Sequence, residues 1–267
     1  MAMEFKTLKY KLTIVTILIF GYLNTNTNIY ASNQGQVYPE VKSSFGLIHW
    51  LPEQMPLKVY VSHGTSLDTV IDEELGAPFD NVDNINKWPD LVAFVIDHPE
   101  HKDELKVAES FTNDQYQAVI DGINEWKKFE NEGLFSFVFT QNQNDADIYV
   151  YFVNHFVNKL GLGLFANDIR GYTAKRSFSY KKILEGKHAD FKPVLILLRT
   201  SDTNGQPMPY VKMKAAAAHE FGHALGIEGH STNPNDLMSI YYGNGNVSAS
   251  DAKTIRYLYS TKPDLIP

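Results

Sequence analysis

Two histidines with three residues between them, His219 and His223, constrain the fold of this chain more than any other feature. They lie in an alanine-rich segment whose composition favours a helix. On a helix, residues four apart differ by about 40° around the axis, so both rings share one face. Two such rings can reach one zinc ion at Zn–N distances of about 2.0–2.1 Å. The fold must therefore hold this helix rigidly and bring further metal ligands to its exposed face.

The residues that follow supply the rest of a candidate zinc site. Gly226 is a natural helix stop, and His230 follows the resulting turn as the third ligand. No Glu follows Glu228, which excludes a downstream glutamate as the third ligand, although Asp236 and Asp251 remain formally open. Three protein ligands leave one position for water, as in catalytic rather than structural zinc sites.

Glu220, next to the first histidine, is the candidate catalytic residue of this site. Its carboxylate lies beside the metal position and can take a proton from water, whose pKa zinc lowers toward about 7.

Composition restricts the remaining options. The chain has 267 residues, 43% of them hydrophobic, and can bury a sizeable core. Its net charge of −7 does not suit nucleic acid or an anionic membrane surface. It contains no cysteine, which excludes disulfides, thiolate ligands and a cysteine nucleophile. An exported chain without disulfides is more typical of bacteria than of animals.

The amino-terminal segment has the layout of a signal peptide. Lysines at positions 6, 9 and 11 precede a short apolar stretch at 12–23, and Ala31 offers a small residue for cleavage. We therefore predict a signal peptide at 1–31 and a secreted protein; an uncleaved membrane anchor is the alternative. Residues 32–50 are interpreted as a short pro-segment or a linker. Residues 51–267 are interpreted as one catalytic domain with an acidic insertion at about 64–110.

Hydrophobic periodicity predicts a mixed sheet with helices packed on it. Two predicted helices begin at the caps Thr112 and Ser248, and a third spans Met213–Leu225. The glycine-rich region around Gly161, Gly163 and Gly171 is predicted to be a loop with an edge strand near Leu162–Ala166. The predicted strands are Leu57–Ser62, Leu134–Thr140, Ala146–Val153 and Val194–Leu198.

Residues 219–242 resemble the zinc-binding region of metzincins, and among these most closely the matrixins. The family pattern is HExxHxxGxxH followed by a methionine turn, and Leu237-Met238 matches that turn. This chain has one more residue between Gly226 and His230, which the flexible Gly229 can accommodate. The resemblance implies an α+β fold: a twisted, mixed, mostly parallel sheet with an active-site helix, a Met-turn and a C-terminal helix.

The resemblance also implies a function. It implies a zinc-dependent endopeptidase that acts on protein or peptide substrates, with one catalytic Zn2+ held by His219, His223 and His230. Met238 is expected to pack beneath the zinc, and Tyr242 to line the pocket for the substrate residue after the cut bond. The alternative is a catalytically inactive binding module, secreted or membrane-tethered, on the same scaffold. We expect a monomer without a stable membrane partner once the signal peptide is cleaved.

An additional structural Zn2+ or Ca2+ is not supported by the spacing of the remaining candidate ligands. His155, His188 and Asp190 are the residues concerned, and they do not match the family's second zinc site.

Overall fold

The computed structural model describes residues 35, 37–43, 46–66, 105–154, 156, 169–175 and 192–265. The predicted signal peptide and most of the acidic insertion lie outside these ranges. Within them, no helix is both long and apolar enough to cross a membrane.

A five-stranded sheet forms the centre of the described fold, with strand order β2-β1-β3-β5-β4. Four strands run parallel, and β4 pairs antiparallel with β5. This confirms the predicted mixed, mostly parallel sheet and the α+β class. The strands are β1 (Leu57–Ser66), β2 (Phe137–Thr140), β3 (Ile148–Val153), β4 (Gly171–Lys175) and β5 (Val194–Arg199).

The central strands β3 and β5 are buried along their whole length. Alternate side chains such as Val150 and Ile196 belong to the main core, whereas Tyr149 and Leu197 are buried on the opposite face. Burial on both faces explains the continuous apolar run from Val194, as the sequence predicts.

The edge of the sheet differs from the sequence-based expectation. The structure forms strand β4 at Gly171–Lys175, where we predict a loop, so the loop assignment of Gly171 is wrong. The predicted edge strand at Leu162–Ala166 lies outside the described residues. A short strand with one hydrogen-bonded neighbour needs few apolar side chains, and β4 therefore lacks the alternating pattern that reveals the other strands.

Strand β1 is longer than predicted and ends at Ser66 rather than Ser62. Near the end of the strand, Thr65 pairs with Val107, and the amide of Ala108 donates a hydrogen bond to the carbonyl of Gly64. The two ends of the acidic insertion are therefore joined by backbone hydrogen bonds.

Among the described residues, three α-helices share a hydrophobic core with the sheet: α1 (Asn113–Asn124), α2 (Tyr210–Ala224) and α3 (Ala249–Ser260). Capping boxes at Thr112 and Ser248 begin α1 and α3, as predicted. Helix α1 continues as a 3-10 helix over Lys127–Glu132, which ends at Gly133 in the left-handed conformation.

Helix α2 is fixed against α1 by close backbone approach. A Cβ on Gly122 would lie 2.4 Å from the carbonyl oxygen of Lys214, so only glycine permits this contact. The indole nitrogen of Trp126 donates to the carbonyl of Ala218 at 2.8 Å, one residue before the first candidate ligand. The helix that carries the candidate site is therefore positioned by a buried hydrogen bond as well as by packing.

Residues 37–43 and 46–50 pack into the same core. The indole of Trp50 donates to the carbonyl of Ala224, the last residue of α2, at 2.8 Å. Tyr38, Val41 and Ile48 are buried with it. Whether this region is also a pro-segment or a linker stays a prediction.

The buried carboxylate of Asp251, in the first turn of α3, generates a prediction for stability. It accepts hydrogen bonds from the amides of Leu237, Met238 and Ser248 and from the hydroxyl of Tyr38. Asp251→Ala leaves these buried donors without an acceptor, at a cost of about 1–3 kcal/mol each. We expect the free energy of unfolding to fall by about 3 kcal/mol or more in urea denaturation.

Asp114 provides the matched control, because it is an exposed acid in the first turn of α1. Asp114→Ala should change the free energy of unfolding by less than about 0.5 kcal/mol. A loss below about 1 kcal/mol for Asp251→Ala would show that the carboxylate does not organise this turn.

Candidate metal centre

The candidate centre lies at the end of α2 and in the loop that follows it. His219 is 2% exposed, whereas His223 is half-buried and His230 faces solvent. The structure brings the three rings together, with one nitrogen of each within 4.8 Å of the others. Among the described residues this is the one group of three or more histidine and acidic side chains so arranged.

Two of the three distances between these nitrogens match those expected around a single zinc ion. Nε2 of His223 lies 3.1 Å from Nε2 of His219 and 3.3 Å from Nε2 of His230. Tetrahedral coordination with Zn–N distances of about 2.0–2.1 Å places neighbouring nitrogens about 3.3 Å apart.

The opposite ring nitrogens fix the tautomer of two ligands. Nδ1 of His219 lies 2.7 Å from the carbonyl oxygen of Leu237, and Nδ1 of His223 lies 2.6 Å from that of Ile227. A carbonyl only accepts, so each Nδ1 carries the proton and each Nε2 presents a lone pair to the centre. Lone pairs that face one another at this distance repel, and a cation between them removes the repulsion.

Burial favours the neutral form of these rings. It lowers the pKa of His219 to about 3, against the opposing effect of the Leu237 carbonyl. Burial and the neighbouring rings of His219 and His230 hold the pKa of His223 well below its ordinary value. Neutral imidazole is the form that binds a metal, so the donor set fits Zn2+.

The extra residue before His230 is accommodated by a turn that contacts the backbone of Glu40, Val41 and Ile48. Gly226 adopts φ +117°, which only glycine accepts easily, and a Cβ there would lie 2.3 Å from the carbonyl oxygen of Ile48. The amides of Glu228 and Gly229 donate to the carbonyls of Val41 and Glu40. Backbone hydrogen bonds to Glu40 and Val41 therefore support the longer loop.

A second contact holds this loop from the side of the sheet. Lys175, at the end of β4, forms an ion pair with Glu228, and both side chains are largely buried. The pair connects the edge strand to the loop two residues before His230.

Met238 lies below the centre. Its side chain is fully buried, and a Cβ on Gly222 would lie 2.4 Å from its sulfur. Its carbonyl accepts a hydrogen bond from the amide of Ser231, which follows the third histidine. The methionine thus packs against the helix between the first two histidines and is tied to the residue next to the third.

Glu220 lies on the sheet side of the centre and is 3% exposed. Its Oε2 is 2.8 Å from the hydroxyl oxygen of Thr173 on β4. Burial raises the pKa of Glu220 to about 8, and the hydrogen bond from Thr173 opposes this shift. A carboxyl with this pKa can hold or release a proton near neutral pH, as a general base requires.

Tyr242 packs against the first candidate ligand. Its ring centroid is 4.5 Å from that of His219, and the guanidinium carbon of Arg170 lies over the tyrosine ring, 4.9 Å from its centroid. The residue is 7% exposed and adopts φ +62°. Its hydroxyl accepts from the amide of Arg170 at 3.4 Å, so it joins the Met-turn region to the start of β4.

Sequence reasoning did not identify several residues that hold the centre. Thr173 and Lys175 contact it from a strand that the sequence does not reveal, and nothing in their local pattern indicates this role. Asp251 is visible in the sequence as a helix-capping residue, but its bonds to the amides of Leu237 and Met238 require the folded structure.

The raised pKa of Glu220 predicts how pH affects the metal-free protein. Its folded pKa of about 8 exceeds its ordinary value of 4.5, so its contribution to stability is present below about pH 4.5 and lost as pH rises toward 8. At pH 7 the cost is about 3 kcal/mol. Glu220→Gln should therefore raise the free energy of unfolding of the metal-free protein by that amount at pH 7.

The gain should nearly vanish at pH 4.5, as urea denaturation at the two pH values will test. Glu109 is exposed, and Glu109→Gln should change stability by less than about 0.5 kcal/mol at both pH values. An equal gain for Glu220→Gln at both pH values would show that the effect is not electrostatic.

Comparison with known proteins agrees with this geometry. The family model described as Matrixin matches residues 103–260, more than half of the chain. The 72 kDa type IV collagenase of Gallus gallus is 48% identical over 54 residues. That match covers 19% of this chain and 8% of the collagenase, so it spans a small part of the relative's length. The family match, together with the three converging histidines, shows that the chain belongs to the matrixin family.

Proposed function

We propose that this protein is a secreted zinc-dependent metalloendopeptidase that hydrolyses peptide bonds of protein substrates. The observation that carries the proposal is the convergence of three imidazole nitrogens, two with their lone pairs directed inward, beside the buried carboxyl of Glu220. A purely structural site would not require a buried acid beside its three ligands.

The chain's own residues divide the work. His219, His223 and His230 would hold a zinc ion, which would supply a Lewis acid to polarise the peptide carbonyl and acidify water. Glu220 takes the proton from the attacking water and later gives it to the departing amine.

Strand β4 supports the binding of an extended peptide. It is the last strand of the described sheet on the side of the candidate centre, and it pairs with β5 alone. A peptide that adds to this edge would form backbone hydrogen bonds next to Glu220, which contacts the same strand. The edge thus offers sequence-independent affinity close to the reacting groups.

The Met-turn region supports a pocket for the substrate side chain after the cut bond. Tyr242 is held in place by its hydrogen bond with the amide of Arg170 and by its contact with His219. The preceding Ile240 and Tyr241 are 60% and 65% exposed. A buried tyrosine wall next to exposed apolar residues favours an apolar or aromatic side chain in this pocket.

Secretion completes the proposal. It is supported by the predicted signal peptide at 1–31. The partners we propose are protein or peptide substrates.

Replacement of the base tests this function. Glu220→Ala removes the proton acceptor but none of the three ring nitrogens, so we expect zinc to remain at one ion per chain. Cleavage of casein should fall by about 10²- to 10⁴-fold in kcat/KM. Metal analysis and the cleavage assay are performed on the same preparation, and a chelator should abolish wild-type cleavage until zinc is restored.

Glu109→Gln serves as the control, because this exposed acid is not part of the site. Wild-type rates for Glu220→Ala would contradict the proposed mechanism. A zinc-loaded wild-type protein that cleaves neither casein nor gelatin would instead support the binding-module alternative.

A further inference from the structure

One face of strand β4 is directed at the groups of the candidate centre. Gly171, Thr173 and Lys175 alternate along the strand and therefore share a face. The first two contact the side chain of Glu220, and Lys175 pairs with Glu228.

Thr173 makes the most specific of these contacts. Its hydroxyl oxygen lies 2.9 Å from the backbone carbonyl oxygen of Glu220 and 2.8 Å from Oε2 of the same residue. The single proton of the hydroxyl is therefore shared between two acceptors, and the oxygen bridges the main chain and the carboxyl of one glutamate. Such a bridge fixes the side-chain torsions of Glu220, because other rotamers would carry the carboxyl away from its own backbone.

Gly171 provides the space for this arrangement. A Cβ at this position would lie 2.6 Å from Cγ and 3.0 Å from Cδ of Glu220, closer than packed carbon atoms tolerate. Gly171 thus leaves room for Glu220, and Thr173, the next residue on the same face of the strand, binds it.

We propose that Thr173 is a positioning residue: its hydroxyl, together with the space left by Gly171, holds the carboxyl of Glu220 in the reactive orientation. The inference rests on the proposed function, in which Glu220 is the general base. Because β4 is also the strand proposed to pair with the peptide, the contact places base and substrate in one frame. Oε2 is occupied by Thr173, whereas Oε1 has no hydrogen-bond partner among the described residues and remains available to water.

Removal of the hydroxyl at constant shape tests the proposal. We expect Thr173→Val to lower kcat by about 10- to 100-fold, since small displacements of a reacting group have effects of this size. KM should change by less than about twofold, because the peptide-binding edge keeps its backbone. Thr173→Ser retains the hydroxyl and should keep kcat within about threefold of wild type. Gly171→Ala, which displaces the same carboxyl, should lower kcat as Thr173→Val does.

A second readout does not depend on activity. In the metal-free protein, Thr173→Val should lower the melting temperature by about 3 °C when Glu220 is present. The shift should be about half as large in a Glu220→Ala background, where the hydroxyl keeps only its bond to the backbone carbonyl of residue 220. Thr65→Val is the matched control, on a half-exposed threonine of β1. It should leave kcat unchanged and give the same melting shift in both backgrounds.

The outcomes separate this inference from the proposed function. Wild-type kcat for Thr173→Val, or equal melting shifts in the two backgrounds, would overturn the positioning role while leaving the peptidase intact. Equal loss of kcat in Thr173→Val and Thr173→Ser would also overturn it. If the wild-type protein does not cleave protein substrates, the proposed function fails; the background-dependent melting shift would then still show that Thr173 holds Glu220.

Discussion

The hydrogen bonds from two imidazole Nδ1 atoms to backbone carbonyls are the constraint on which the candidate centre depends. His219 binds the carbonyl of Leu237, and His223 binds that of Ile227. These bonds set the tautomer, direct each Nε2 inward and fix the ring planes. Without them the helical spacing would bring the rings near one another but would not decide which nitrogen faces the ion.

The two carbonyls belong to loops, so the loops must be as rigid as the helix. Asp251 binds the amides of Leu237 and Met238, and thereby holds the peptide whose carbonyl orients His219. The turn that carries Ile227 is held at the next residue, because the carbonyl of Val41 accepts a hydrogen bond from the amide of Glu228. Residues far apart in the chain therefore act on the same few atoms. In this chain, which contains no cysteine, buried polar groups beneath the Met-turn therefore hold the loop in place.

Much of this could be predicted from the sequence, and the parts that could not share a physical reason. The spacing of His219 and His223, the stop at Gly226 and the capping boxes are local patterns, and the structure forms the corresponding elements. The buried strand at Val194 is likewise apparent from its composition. Strand β4 was missed because an edge strand that contacts polar groups of a site has neither apolar alternation nor length.

Contacts between residues far apart in the chain also could not be predicted from the sequence. Thr173 is 47 residues from Glu220 in the chain, and no sequence pattern connects a threonine on an unrecognised strand with a glutamate on a helix. The packing of residues 37–43 and 46–50 against the loop after α2 could not be predicted for the same reason, since a polar, weakly patterned segment can bind through its backbone.

Zinc K-edge X-ray absorption of the zinc-loaded protein tests the central claim most directly, because it counts the ligands and measures their distances. The account predicts three imidazole nitrogens at about 2.0–2.1 Å and a light oxygen donor in the fourth position. Fewer than three imidazoles in the first coordination shell would contradict it.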